Sequence, residues 1–266
     1  MPIPAVVAHG GAGAGPERIS NVEVALKRAA EILISRGSAI EAAVEACVIL
    51  ENDPVFNAGT GSVFRTDGSV LLDASIQTSD GRMGFVIAME ETPNPILVAA
   101  ELLDEEINGL AGDGARRWAD EKGIIRSTVE GRPPFEGAGD TVGVITRDVN
   151  GLIVCATSTG GCSHRPRGRV GDVPLPGSGF WVQEGVGVGA TGIGEAITRG
   201  LLSYRVAEKI LDGENSQDAI RWVLDELVEE GAEVGIIVLE SSGPGVGLSN
   251  EKNMPWSTWE AQASLL

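Results

Sequence analysis

The chain has 266 residues, 42% of them hydrophobic and 22% charged, a globular composition long enough for one large domain or two small ones. Twenty Lys and Arg against 38 Asp and Glu leave a net charge of −18, so the field of the whole molecule repels phosphate backbones and anionic membrane surfaces, and nucleic acid is not an expected partner. No apolar run reaches the roughly 18 residues that span a bilayer, and the opening MPIPAVVAHGGAG has neither the basic region nor the apolar core of a secretory signal, so the expected address is cytoplasmic.

In chain order, the opening segment starts like a buried strand. From Ser20, the apolar Val22, Leu26, Ala29, Ala30 and Leu33 recur at helical spacing ahead of Gly37, which predicts an amphipathic helix with a glycine stop. Ser38 and Glu41 form an S-x-x-E capping box that opens a second helix, with Ile40, Val44, Cys47 and Val48 on one face. Residues 63–65 and 70–73 are β-rich around Thr66-Asp67-Gly68 and predict a hairpin, 84–89 a strand, and 95–106 a helix. Periodicity is lost from 124 to 140, where EGRPPFEGAGD marks a flexible linker. Beyond it, 142–146 and 152–157 flank the hairpin signal Asn150-Gly151, 186–190 predicts a strand, 195–211 and 216–229 predict helices, and 234–239 and 245–248 close the chain with two strands. Strands in antiparallel groups and helices in pairs do not alternate as βαβ units do, which favours stacked sheets with helices outside. Cys47, Cys155 and Cys162 are odd in number and lack C-x-x-C spacing, so they read as buried or idle thiols.

Several glycine-rich stretches invite a chemical reading. Gly187 to Gly192 satisfies G-x-G-x-x-G between a strand and a helix, yet two helices and no prompt return strand follow, so the βαβ unit of a dinucleotide site is missing. His9-Gly10-Gly11-Ala12-Gly13 is similar to the oxyanion turn of α/β-hydrolases, but no G-x-S-x-G elbow exists, and with only His9 and His164 a Ser-His-Asp enzyme has few routes. His9 then reads as a packed histidine at a strand end. The sharper constellation is Gly139-Asp140-Thr141-Val142-Gly143, Ala156-Thr157-Ser158-Thr159-Gly160-Gly161, Gly168-Arg169-Val170-Gly171-Asp172 and Ala190-Thr191-Gly192-Ile193-Gly194-Glu195. Hydroxyls, one Arg, one Asp and backbone amides suit amino-acid recognition and acyl chemistry without a metal; the same threonines read equally well as plain strand residues.

The segments FNAGTGSVFRTDGSVLLDASIQ (56–77), GDTVGV (139–144), ATSTGG (156–161), GRVGDVPLPGSG (168–179) and ATGIGE (190–195) resemble the plant-type L-asparaginase/isoaspartyl peptidase family of N-terminal nucleophile hydrolases, relatives of glycosylasparaginase and threonine aspartase. The likeness runs from His9 to Asn253-Met254-Pro255, nearly the full chain. It implies an α/β (α+β) fold, a four-layer αββα sandwich forming a single domain, made as a precursor that cuts itself between Asp140 and Thr141 into fragments 1–140 and 141–266. The freed α-amine of Thr141, with a pKa near 7.7–8, would be the general base and its hydroxyl the nucleophile.

By the same resemblance, Thr159 tunes Thr141, Arg169 pairs with the substrate α-carboxylate, and Asp172 holds the α-ammonium, with Gly194 beside them. Thr191 and the Gly192 amide form the oxyanion hole, and Asn57 assists self-cleavage. Main-chain oxygens of Leu50, Glu51, Asp53, Phe56, Ala58 and Thr60 match a structural sodium loop, with no cofactor for catalysis. The implied substrates are L-asparagine and β-aspartyl dipeptides, and the implied assembly is a dimer of cleaved αβ units. Two positions depart from the asparaginase pattern. Asp140 stands where Gly is usual and matches the Asp-Thr junction of glycosylasparaginase and threonine aspartase, and Ile193 replaces a residue often polar. A glycosylasparaginase-like or threonine aspartase-like substrate preference, or an aspartate-binding protein that never matures, are the alternatives.

Overall fold

The computed structural model describes residues 2–13, 15–134, 141–250 and 253–262. Residues 135–140 of the expected linker, Asp140 among them, lie outside the described residues. The elements are β1 (Ala5–His9), α1 (Ile19–Ile34), α2 (Ala39–Asn52), β2 (Leu72–Thr78), β3 (Met83–Met89), α3 (Pro95–Glu101), β4 (Gly109–Ala111), α4 (Gly112–Glu121), β5 (Val142–Arg147), β6 (Ile153–Thr159), β7 (Phe180–Gln183), β8 (Val186–Gly192), α5 (Gly194–Gly200), α6 (Leu202–Leu211), α7 (Ser216–Glu226), β9 (Val234–Glu240), β10 (Val246–Ser249) and β11 (Trp256–Glu260).

Local chemistry sets the ends of several of these. Ser38 caps α2 by accepting from the Glu41 amide at 3.1 Å, a contact of about 1 kcal/mol. Asn215 does the same for α7 through the Asp218 amide at 3.0 Å.

The strands form a mixed seven-stranded sheet in the order β11-β1-β5-β6-β2-β3-β4 and a four-stranded sheet in the order β10-β9-β8-β7. All pairs are antiparallel except β3 with β4. The sheets face each other, with β1 against β9, β5 against β8 and β6 against β7; α1, α2 and α3 cover the far side of the larger sheet, and α6 and α7 that of the smaller.

Strand alternation sorts side chains between these layers. In β1, β5, β6 and β2, the even-numbered Val6, Ala8, Val142, Val144, Val154, Ala156, Ala74 and Ile76 pack under the helices. The odd-numbered Ala5, Val7, Ile145, Ile153 and Cys155 enter the core between the sheets, where they meet Phe180, Val182, Ile237 and Leu239. Continuing the same parity, His9, Thr141, Thr159 and Asp73 fall on the inner face, at one end of the inter-sheet core. In β8, Val186, Val188 and Ala190 turn to the helices, and the inner face is given to Gly187, Gly189 and Thr191. A Cβ on Gly187 would lie 2.8 Å from Ile153 Cγ2 and 2.9 Å from Ile145 Cγ2, so glycine is what lets the two sheets approach there.

Several sequence expectations are corrected. The predicted hairpin at 63–65 and 70–73 has its turn, closed by Arg65 N–H to Ser69 O at 2.8 Å, but not its strands. Val63 bridges Arg132 instead, Phe64 N–H donates to Arg132 O and Arg132 N–H to Ser62 O, and the true strand is β2. Those bonds also dock part of the expected linker: residues 124–134 are described and run along the body of the protein. The helix expected at 195–211 breaks at Leu201, whose φ of 48° is left-handed, and α6 is turned so that Leu202 is buried and Tyr204 N–H reaches Gly177 O at 3.0 Å. Gly187 to Gly192, set aside above as a dinucleotide site for want of a βαβ unit, is strand β8, paired antiparallel with β7 and β9. Strands β4, β7 and β11 and helix α4 have no counterpart among the elements expected from the sequence. No helix among the described residues is long and apolar enough to cross a membrane.

Candidate active site

Thr141 enters β5 next to β1 on one side and β6 on the other. Its Oγ1 donates to Thr159 Oγ1 at 3.1 Å, and Thr159 Oγ1 also accepts from Gly161 N–H at 3.0 Å. With both lone pairs engaged, the Thr159 hydroxyl keeps its own proton for a further acceptor. Asp73 lies directly opposite Thr159 in the β2–β6 ladder. Asn57 fastens the turn that follows: its Nδ2 donates to Gly161 O at 2.6 Å, its Oδ1 accepts from Val63 N–H at 3.0 Å, and its carbonyl accepts from Gly160 N–H at 2.8 Å.

Thr141, Thr159, Gly161, Cys162, Arg169, Asp172 and Gly192 line one narrow cleft. Arg169 donates from Nε and Nη2 to the two oxygens of Glu195, at 3.1 and 2.9 Å, a two-point pair that holds the guanidinium plane. Asp172 accepts nothing at Oδ2 from the described residues, and burial pushes its carboxyl up to about 7 while the charge of Arg169 opposes the rise. Asp73 is likewise pushed up by burial, to about 6. Gly194 makes room for both groups of the pair: a Cβ there would sit 2.6 Å from Asp172 Oδ1 and 2.7 Å from Arg169 Nη2. The loop carrying Asp172 is tied to the sheet by Ser75, whose hydroxyl donates to Val173 O at 2.7 Å. Ser75 having spent its only hydrogen, Thr157 must donate to it across 2.6 Å.

The far wall is the end of β8. Thr191 Oγ1 accepts from Ala12 N–H at 3.2 Å, leaving its hydroxyl hydrogen to point elsewhere. Gly192 has φ of 133°, and a Cβ would meet Glu233 O at 2.0 Å, so no other residue fits this turn. The glycine-rich loop after β1 is pinned by Gly10 N–H to Pro255 O and Gly13 N–H to Asn253 O, at 2.9 and 2.8 Å. His9 Nδ1 accepts from Gly11 N–H at 3.2 Å, which leaves the proton on Nε2. Burial drives the imidazole down to about 3, against an opposing pull from the Thr141 main chain, so the ring is neutral at working pH. Its Nε2 approaches that main chain without reaching hydrogen-bond geometry.

The residues expected from the sequence thus converge, apart from Asp140, which lies outside the described residues. Sequence reasoning did not single out Glu195, Asp73 or the Ala12 amide as parts of this site; Glu195 ends the ATGIGE motif and Asp73 sits in LLDASIQ, so both were visible as motif residues without a role. In the expected cation loop, the carbonyls of Leu50, Asp53 and Ala58 accept from the amides of Asp53, Phe56 and Gly61, and Glu51 O accepts from Thr60 Oγ1 at 2.9 Å. Each carbonyl retains a second lone pair, and hard neutral oxygens are the donor chemistry of an alkali cation. Among the described residues there is no group of three His, Cys, Asp or Glu that could hold a metal.

An asparaginase family model matches residues 2–131 and 127–265. An isoaspartyl peptidase/L-asparaginase of Synechocystis is 32% identical over 90% of this chain and 83% of its own. One from Danio rerio is 33% identical over 96% and 92%, and a plant-type L-asparaginase of Pyrobaculum calidifontis 36% identical over 84% of each.

Proposed function

The chain belongs to the asparaginase family, that of the isoaspartyl peptidases and plant-type L-asparaginases, and on that premise we propose that it is an amidohydrolase of β-aspartyl bonds, acting on L-asparagine and β-aspartyl dipeptides. The observation that carries the reading is the cleft itself: a threonine hydroxyl, bonded to a second threonine, facing an arginine and an aspartate that match the two charges of an amino acid.

In this mechanism the chain is cut between Asp140 and Thr141, which turns an amide nitrogen into a free amine able to take a proton near neutral pH. Asn57 holds the Gly160-Gly161 turn in place for that step. Arg169 binds the substrate α-carboxylate and Asp172 its ammonium, with Gly194 leaving space for both. Thr141 Oγ1 then attacks the side-chain carbonyl carbon and passes its proton to its own amine. The oxyanion is met by the Thr191 hydroxyl and the Gly192 amide, Thr159 steadies the nucleophile, and collapse expels ammonia or an amine that takes the proton back. Water hydrolyses the aspartyl ester by the same route in reverse.

The fold is read as the αββα sandwich of N-terminal nucleophile hydrolases, built from fragments 1–140 and 141–266. The assembly is read as a cytoplasmic dimer of such pairs. The carbonyls of Leu50, Glu51, Asp53, Phe56, Ala58 and Thr60 would hold a structural sodium ion that stiffens the end of α2 and takes no part in the chemistry.

The test is intact mass and N-terminal sequencing of purified protein, fresh and after a day at neutral pH, with ammonia release from asparagine. A new N-terminus at Thr141, absent from Thr141→Ala together with turnover, is expected; normal turnover by that variant refutes the nucleophile. The Asp140-Thr141 junction favours a second reading, a glycosylasparaginase-like or threonine aspartase-like preference, which a screen of asparagine, β-aspartyl dipeptides and glycosylasparagine separates from the first. An uncut chain that binds aspartate without hydrolysing any amide would instead be an aspartate-binding protein.

A further inference from the structure

The three cysteines sit in unlike surroundings. Cys47 is on the buried face of α2 and Cys155 in the core between the sheets, both fully buried, and burial pushes both thiols up, as expected of inert packing groups. Cys162 instead lines the catalytic cleft. Its Sγ accepts from Arg169 Nη2 at 3.6 Å, the same nitrogen that bonds Glu195.

A second guanidinium stands behind it. Arg65 is only 2% exposed, and among the described residues its guanidinium donates from Nη2 to Leu71 O at 3.2 Å. Its Nε and Nη1 have no hydrogen-bond partner among the described residues. The group presses on the residue before Cys162: a Cβ on Gly161 would lie 2.3 Å from Nη1. Burial works against its charge, Asp73 supports it first among its neighbours, Arg169 opposes it and Cys162 supports it. Buried N–H donors without acceptors are costly, so this arrangement has a standing demand for anionic oxygen.

We propose that Cys162 is an oxidation site, at which conversion of the thiol to a sulfinate places anionic oxygens between Arg169 and Arg65 and closes the cleft to substrate. The step needs a peroxide. Sγ attacks one oxygen of hydrogen peroxide, an S–O bond forms as the O–O bond breaks, sulfur loses two electrons, and the peroxide is reduced to water, giving a sulfenic acid. A second peroxide gives the sulfinic acid, ionised at neutral pH. Its oxygens take the N–H donors of Arg169, which on the functional reading above receive the substrate carboxylate, so the modified enzyme carries its own competitor. The sulfenic stage is reversed by thiols and the sulfinic stage is not.

The full chain, with Cys162→Ala and Cys162→Ser beside it, is exposed to graded hydrogen peroxide. Peptide mass, calorimetric aspartate binding and ammonia release are then compared with each protein's own untreated state. The expected result is a gain of about 32 Da on the Cys162 peptide, accompanied by a roughly ten- to hundredfold loss of aspartate affinity. Aspartate present during exposure slows both, and either variant keeps its untreated affinity. The proposal is overturned by an unmodified Cys162, by modification that leaves aspartate binding intact, or by equal losses in the variants. Untreated protein that neither binds aspartate nor releases ammonia overturns the functional reading, and this proposal with it.

Discussion

Asp172→Asn should make the protein more stable and less able to bind. Asp172 is 4% exposed, and burial raises its carboxyl from an ordinary 3.8 to about 7. Between those values the folded protein holds a proton that the unfolded chain has released, so stability falls as pH rises through that window and the loss is complete above it. Some three units at 1.36 kcal/mol each give a ceiling of about 4 kcal/mol. Asparagine has nearly the same shape and no charge to desolvate, and Arg169 keeps Glu195 as its partner. The variant should therefore gain on the order of 2–4 kcal/mol at pH 8 and almost nothing near pH 4, while aspartate binding is lost for want of a carboxylate facing the ammonium. Urea denaturation at the two pH values, in a Thr141→Ala background that keeps the chain in one piece, reads the difference. Parallel pH dependences with and without the Asp172→Asn substitution would refute the argument that this carboxylate is held against its solvation.

Thr191→Val removes a hydroxyl from the cleft wall and should lower kcat by about 10²–10³ with little change in KM; steady-state kinetics with recovery in Thr191→Ser separates this from misfolding. Glu195→Gln weakens the two-point hold on Arg169 and should raise KM for asparagine about tenfold, leaving kcat within a factor of a few. Gly187→Val puts a side chain where Ile153 and Ile145 stand 2.8 and 2.9 Å away, and should cost about 1–3 kcal/mol, seen as a Tm lower by several degrees; an unchanged Tm would mean that the sheets can part.

What could be read from the sequence depended on whether a local pattern or a distant neighbour decided the outcome. The capping box at Ser38, the apolar face of α1, and Asn150-Gly151 between β5 and β6 are local, and each lies where it was expected; α2 is turned so that Ala39, Ala42, Ala43, Ala46 and Leu50 are buried beside Cys47, and the expected Ile40, Val44 and Val48 are only partly buried. Strand β2 was half missed because Asp73, Ser75, Gln77 and Thr78 are all buried. Polar residues that lie at the Thr141 cleft or bond across sheets, as Gln77 Oε1 does with Val182 N–H, carry no apolar alternation. Helix α4 is built from GDGARRWADE, whose few apolar residues leave only a thin buried stripe. In the site, Thr141, Thr159, Arg169 and Asp172 were legible because their motifs come in a specific order. Arg65 and Cys162 were not, since they meet only when the 56–77 segment folds behind the turn after β6.

The strand order of the larger sheet also fixes what happens to the molecule after a cut at residue 140. β1 comes from the first piece but lies between β11 and β5 of the second, and β2, β3 and β4 extend the sheet beyond β6 of the second. The two pieces would be woven together, each supplying inner strands to the other. While the chain is whole, the weave forms within one molecule and does not depend on concentration. Once cut, a protein that unfolds releases two separate chains whose reunion is bimolecular, and neither half alone can rebuild the larger sheet, although the smaller one comes wholly from the second piece. Maturation would thus convert an equilibrium fold into one that persists only by the slowness of its unfolding, so dilution after denaturation should leave the uncut chain recoverable and the mature enzyme lost.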